Sequence, residues 1–416
     1  MRVRGLVGAV LVAVAAGSAG SSGAADPADP TTPPANPTML MSAIPGRPGR
    51  SPVASQFHDP HLLASWGFTH VAYSAVETTA TYSWLPATSR PVFSAPAEAW
   101  RASMAAGLQL QLEDAAAAGL RPLCQMDMFV LPSDLFAEHA DQLVDPSTGL
   151  VSLSRSFTRT VISGMLGEVF ERFPLLAGLV IRVGELSLLD YPYHNVKPRP
   201  HPPATLTPTT PTSFTGPSSP LTPSVPTCWQ GTYAVDHDAP IDISQQQKQY
   251  VALLQFLREE VAVKRNRTLV FRTWDTAGFT ADDPPRMHGN QSYYLAVTDQ
   301  IEPHPSMYFS IKHTMLDFWR RVRFNPTIGI GHHAQVVEAE MAREYEGNGA
   351  YPNYVAGGLI EGFPEFAGTE TAGEGLATAM ARPGSVVRGV WTWARGGGRA
   401  RCTTAPCYRA RAQPSS

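Results

Sequence analysis

The stretch YFSIKHTMLDFWRRVRFNPTIGIGHHAQVVEAEMAREYEG, Tyr308–Gly347, decides the architecture. It opens on an apolar run, Tyr308–Ile311, and reaches a second at Ala334–Val337. Each run is of strand length and rich in β-branched or aromatic residues. Each is followed by ionisable side chains: Lys312, His313 and Asp317 after the first, Glu338 and Glu340 after the second. Only 16% of the residues in this chain are charged, so this clustering at the ends of apolar runs is informative. It is what results when neighbouring strands deliver charge to one cleft.

Working outward, six more runs share the pattern: 38–44 (TMLMSAI), 69–76 (THVAYSAV), 121–129 (RPLCQMDMF), 176–185 (LAGLVIRVGE), 267–275 (RTLVFRTWD) and 384–394 (GSVVRGVWTWA). Between them lie segments with apolar residues at helical spacing, at 97–120, 156–174 and 245–264. Strand–helix alternation through eight apolar runs predicts an α/β fold, a single (β/α)8 TIM barrel over residues 38–395. A doubly wound sheet is the structural competitor. Its nucleotide-binding form has no support, because no glycine-rich phosphate fingerprint follows the first strand.

The flanks are read by composition. Residues 1–25 combine Arg2 and Arg4 with the apolar segment Gly5–Ala16 and small residues beyond it, the pattern of a signal peptide. A signal anchor or plastid transit peptide is the alternative, the latter disfavoured by low Arg content. Residues 26–37 form a Pro-rich linker, 197–227 a Pro/Thr/Ser-rich loop insertion and 396–416 a tail expected to be disordered. The expected location is therefore the secretory pathway or the extracellular space, without a stable membrane span. Asn266-Arg-Thr and Asn290-Gln-Ser are acceptor sequons for glycosylation. A net charge of −3 gives no electrostatic footprint for nucleic acid. The four cysteines match no zinc spacing; Cys124 reads as a buried thiol, and Cys402 with Cys407 could close a small disulfide.

A barrel places chemistry at the C-terminal strand ends. Asp127, Arg182, Glu185, Arg272, Trp274, Asp275, Lys312, Asp317 and Glu338 all occupy such positions. Carboxylates from different strands suit acid/base attack on a sugar. One protonates the departing oxygen and another activates water from the opposite face, about 6.5–9.5 Å away in an inverting enzyme. Arg and Lys suit a substrate that itself carries a carboxylate. Tryptophan covers the apolar faces of sugar rings.

With these residues in place, the chain resembles the α-glucuronidases of glycoside hydrolase family 67, from about Leu62 to Trp393. The motifs are IKHTMLDF, VVEAEMAREYEG, LAGLVIRVGE and LVFRTWD. The resemblance implies that Lys312 contacts a uronic acid carboxylate and that Asp317 helps activate water. It implies Glu338 as the second candidate base, Glu185 as the general acid, and Arg182 and Arg272 as uronate-binding residues. It also implies hydrolysis with inversion, with no cofactor and no metal, on an oligosaccharide or polysaccharide bearing a uronic acid. The chain departs from the family after Glu185, where LSLLDYPYH replaces a polar run. The family's N-terminal domain and C-terminal helical region have no counterpart in the matched stretch.

Each assignment has a structural competitor. Glu185 could pair with Arg182 or Arg272, and Asp317 could cap the helix beginning at Phe318. Glu338 and Glu340 share a strand face, so either could enter the cleft. His194 is a candidate for the sugar site or a loop residue, and Trp274 a candidate sugar contact. Adjacent His332 and His333 cannot both point inward from a regular strand, which disfavours a metal site. The rival function is a carbohydrate-binding barrel of the cell surface that has lost catalysis.

Overall fold

Along 176–182, 267–272, 307–312 and 334–340 the apolar residues do not merely cluster; they alternate between two environments. Val180, Val270 and Val336 belong to a small buried cluster with Met39, Met41, Ala72, Leu123 and Trp391. Their neighbours Leu179, Ile181, Leu269, Phe271 and Val337 belong to a much larger cluster shared with the helices. Period-two alternation with both faces buried requires strands enclosed on both sides, as in a barrel or a doubly wound sheet covered by helices, and the closure of the strand order decides between them.

The computed structural model describes residues 39–43, 58–74, 76–147, 149–183, 192–194, 243–274, 287–315, 322–340 and 356–393. The barrel strands are β1 (Met39–Ala43), β2 (His70–Ser74), β3 (Arg121–Asp127), β6 (Gly178–Arg182), β7 (Thr268–Arg272), β8 (Met307–Lys312), β9 (Ala334–Glu340) and β10 (Val387–Trp393). They close in the order β1-β10-β9-β8-β7-β6-β3-β2, and every pairing is parallel. The (β/α)8 expectation is thus met, and each of the eight apolar runs supplies one barrel strand. A short antiparallel pair, β4 (Val144–Asp145) and β5 (Leu150–Val151), lies outside the barrel.

The helices are α1 (Pro60–Ser65), α2 (Ala95–Ala117), α3 (Ser133–Leu143), α4 (Ser156–Arg172), α5 (Ile243–Leu257), α6 (Gln291–Thr298), α7 (Ala356–Glu361) and α8 (Leu376–Ala381). In α2, Ser94 is the N-cap and accepts the Ala97 N–H, with Pro96 in the first turn where its missing donor costs nothing. Its buried stripe is Ala97, Arg101, Ala105, Leu108, Leu112 and Ala115, the spacing of one helical face. Gly119, at φ +81°, ends the segment before β3. The Asn290 side chain, part of one sequon, caps α6 by accepting the Tyr293 N–H at 2.9 Å. Helix α5 continues as a π-helical turn, Arg258–Val263, where buried Glu260 accepts from Ser163, Lys264 and Arg265.

Close approach at the base of the barrel demands glycine. A Cβ on Gly389 would lie 2.1 Å from the Met39 carbonyl oxygen, and one on Gly178 would lie 2.1 Å from that of Thr268. Both pairs are register partners across adjacent strands. Burying each large aliphatic or aromatic side chain in these two clusters contributes about 1.5–3 kcal/mol.

Several details differ from the sequence reading. Strands stop before the apolar runs do: β7 ends at Arg272, Thr273 makes a last backbone bond to Ser310, and Trp274 lies beyond it. Helices α3, α6, α7 and α8 and the β4–β5 pair were not foreseen, because their patterns are short or interrupted by polar residues. Cys124 is fully buried, as expected. The segments 1–25, 26–37, 197–227 and 396–416 lie outside the described residues. Among the described residues, no helix is long and apolar enough to cross a membrane.

Candidate active site

The inward-facing register continues upward from the apolar floor. Two residues beyond Val180 stands Arg182; two beyond Val270, Arg272; two beyond Val336, Glu338. From Leu123 the same face passes Gln125 to Asp127, and from Tyr308 it passes Ser310 to Lys312. Alternation therefore commits Asp127, Arg182, Arg272, Lys312 and Glu338 to the lumen at the C-terminal mouth. Register makes neighbours of them: Asp127 opposite Arg182, Lys312 opposite Glu338, and Glu338 opposite Trp391.

Two bidentate ion pairs form. Arg182 donates to Asp127 through Nε (2.8 Å) and a terminal nitrogen (2.6 Å). Arg272 donates to Glu338 through Nε (3.0 Å) and a terminal nitrogen (2.6 Å). The second pair is the drier: the side chains of Arg272 and Glu338 are 8% and 1% exposed, against 20% for Arg182. The Arg272 guanidinium also lies 5.4 Å from the Trp391 ring centre. Lys312 places Nζ 3.5 Å from the centre of the Trp274 ring, a cation–π contact in a desolvated setting.

Glu77 was missed by the sequence reading. It follows the run 69–76 directly, so the rule that flagged the other strand ends also applied to it. It is buried, and its Oε1 accepts the Asp127 N–H at 3.3 Å. His313 points away from the lumen and stacks on Phe363. Burial, aided by the Lys312 charge, holds its imidazole down at about 4, opposed by a hydrogen bond to the Glu338 backbone that favours the protonated form. His288 and Asn325, also unanticipated, fill a buried polar layer beneath Trp274 and Thr314. No sequence signal marks them, since both lie between elements.

The remaining candidates separate clearly. Glu185 and Asp317 lie outside the described residues, as does Asp275. His194 is buried, packs edge-on against Trp100 at 5.8 Å, and bridges to Pro132 beyond β3. Burial brings its imidazole down to about 4. The His333 ring sits within 3.1 Å of the carbonyl oxygens of Thr298 and Ile301, facing the helical layer. Among the described residues no group of His, Cys, Asp and Glu is arranged to hold a metal ion.

The fold and this mouth define a (β/α)8 barrel with a charged, tryptophan-lined opening. No family model matches the chain, and no curated protein sequence does. Solved structures with a similar trace include a maltogenic α-amylase from Thermotoga neapolitana (11% identity, TM-score 0.29, covering 65% of this chain and 49% of that one). A glycoside hydrolase family 5 enzyme from Prevotella bryantii B14 shares 10% identity, with a TM-score of 0.36, over 85% of this chain and 88% of that one. A D-allulose 3-epimerase from Methylomonas sp. shares 10% identity, with a TM-score of 0.34, over 86% of this chain and 83% of that one. The chain thus spans about half the length of the amylase. None of these three is a family-67 α-glucuronidase.

Proposed function

We propose that this protein is a glycoside hydrolase that removes a uronic acid from an oligosaccharide or polysaccharide by a single, inverting displacement. The observation that carries the reading is the convergence of Arg182, Arg272 and Lys312 with Glu338 on inward register positions at one barrel mouth. Three cations among tryptophans suit a sugar ring that bears a carboxylate. The motif resemblance supplies the remaining groups. Glu185 protonates the glycosidic oxygen as the bond to the anomeric carbon breaks. Asp317, with Glu338, takes a proton from the water that attacks the opposite face. Lys312 and Arg272 hold the uronate carboxylate. We further propose passage through the secretory pathway, from the composition of residues 1–25.

The test is incubation with uronate-capped xylo-oligosaccharides, with the anomer of the released sugar followed by NMR. The wild type is expected to release free uronic acid with inverted configuration, and Glu185→Gln to release none. N-terminal sequencing of secreted protein tests the signal peptide, with a start near Ala19–Ala25 expected.

One observation favours a second reading. Both Glu338 oxygens accept from Arg272, and the side chain is 1% exposed, so in this state it holds a cation rather than a water. A barrel that binds uronate glycans without cleaving them fits that arrangement. Equal binding by wild type and Glu185→Gln, with product from neither, would select it.

A further inference from the structure

We infer that His288 is a positioning residue: it fixes the Trp274 ring that carries the Lys312 ammonium. The inference deepens the proposed function, on which its kinetic part rests.

Trp274 and Lys312 leave adjacent strands, β7 and β8, and meet above them. Trp274 lies two residues past the end of β7, and a lysine side chain has several free torsions. His288 adds a constraint on the Trp274 ring from a third segment, just before α6. Its ring stands nearly perpendicular to the Trp274 ring (81°), with centroids 5.0 Å apart, an edge-to-face contact that selects one indole rotamer.

The His288 ring is itself fixed by hydrogen bonds. Nε2 lies 3.0 Å from the Thr314 carbonyl oxygen, so Nε2 carries the hydrogen and Nδ1 accepts. Thr273 Oγ1 and Asn325 Nδ2 both lie 3.4 Å from Nδ1. The Thr273 hydroxyl donates to the Ser310 carbonyl, and the Asn325 amide nitrogen sits against the ring, 3.4 Å from Nδ1 and 3.3 Å from both Nε2 and the Thr314 carbonyl oxygen. That amide is oriented in turn, because its Oδ1 accepts from the Thr327 N–H and hydroxyl at 3.0 and 2.7 Å. Asn325 also donates its backbone N–H to the His313 carbonyl. The imidazole therefore braces the outlet of β7 against that of β8. Those are the two segments that present the aromatic platform and the cation resting on it.

The chain contains four lysines, Lys197, Lys248, Lys264 and Lys312, so [ε-13C]lysine labelling resolves them in one spectrum. In the wild type one signal is expected upfield through the ring current of Trp274, and Trp274→Leu assigns it by returning it to ordinary position. His288→Ala is expected to move the same signal back while the other lysines stay put. His288→Gln, which keeps a donor for the Thr314 carbonyl but removes the ring edge from Trp274, is expected to lose the shift while the other three signals stay put. In kinetics His288→Ala is expected to raise KM for a uronate-capped substrate about tenfold, with kcat within about twofold, the size of one lost preorganised ionic contact. A Lys312 signal that stays upfield in His288→Ala overturns the inference. If all four signals move in that variant, the fold has changed and His288→Gln decides: loss of the shift with the other three signals unmoved supports the brace, and full retention with unchanged KM overturns it. The NMR arm needs no substrate. A responsive Lys312 signal in a protein that releases no uronic acid defeats the proposed function and leaves the brace standing.

Discussion

Arg272 and Glu338, 66 residues apart in the chain, are joined by two parallel guanidinium–carboxylate bonds inside the barrel mouth. The pair links β7 to β9 across the top of β8, so it closes a sector of the ring with side chains as well as backbone.

Breaking this pair from one side leaves a buried charge without its counterion. Glu338→Leu or Arg272→Met is expected to lower stability by about 3–5 kcal/mol, and the double variant to recover most of that loss. Urea unfolding of the four proteins as a double-mutant cycle measures it. An additive double variant would mean that the two side chains are not coupled.

Stability is expected to fall on acidification before carboxylates titrate. Burial lowers His70, His194 and His313 from 6.5 to about 4. Their folded-state values lie below the unfolded one, so the unfolded chain binds more protons in that interval. The stabilisation is fully present above about pH 6.5 and is lost as pH falls toward 4, at about 1.4 kcal/mol per pH unit for each histidine. Unfolding free energies between pH 4 and 7.5 should show this slope, and His313→Asn should reduce it by roughly one proton. A flat profile would rule out neutral burial.

Two glycines should respond oppositely to alanine. Gly389→Ala forces a Cβ against the Met39 carbonyl, where β10 meets β1, and is expected to cost about 1–3 kcal/mol or more. Gly107 lies inside α2 with open space around it, and Gly107→Ala is expected to stabilise by about 0.4–1 kcal/mol. Thermal melts of both variants give the comparison.

Carboxylate recognition should depend on Lys312 more than catalysis does. Lys312→Met is expected to reduce kcat/KM on uronate-capped substrates by about 10- to 100-fold, the range of a lost hydrogen bond to a charged group. The same substrate with its uronate reduced to a neutral sugar should lose little further. Equal losses on both would remove the lysine from that role.

The barrel was legible because its signal is repeated. Runs such as 176–185 and 334–341 carry period-two apolar residues, and the charge that ends each one marks the direction of the mouth. Arg182, Arg272, Lys312 and Glu338 were reachable by that rule, and so was Glu77. Pairing was not legible. Whether Arg272 meets Glu338, Glu185 or substrate depends on inter-strand register, which no single run encodes. His288 and Asn325 were invisible for a related reason: their role comes from hydrogen bonds to backbone carbonyls and ring packing, which leave no periodic trace. His194 was selected by nearness in sequence to Glu185, whereas its described contacts run to Trp100 and Pro132.

The Trp391 indole reaches past β9 to donate to the Ser310 hydroxyl at 2.6 Å, above a layer of buried methionine, valine and leucine. The barrel axis is consequently plugged at this level. A ligand at the mouth cannot pass on through the ring of strands, so a polymer can offer it an end or a branch but cannot be threaded along the barrel axis. On the proposed function, a released sugar and an incoming chain would share the C-terminal mouth, and inhibition by product is expected to be competitive.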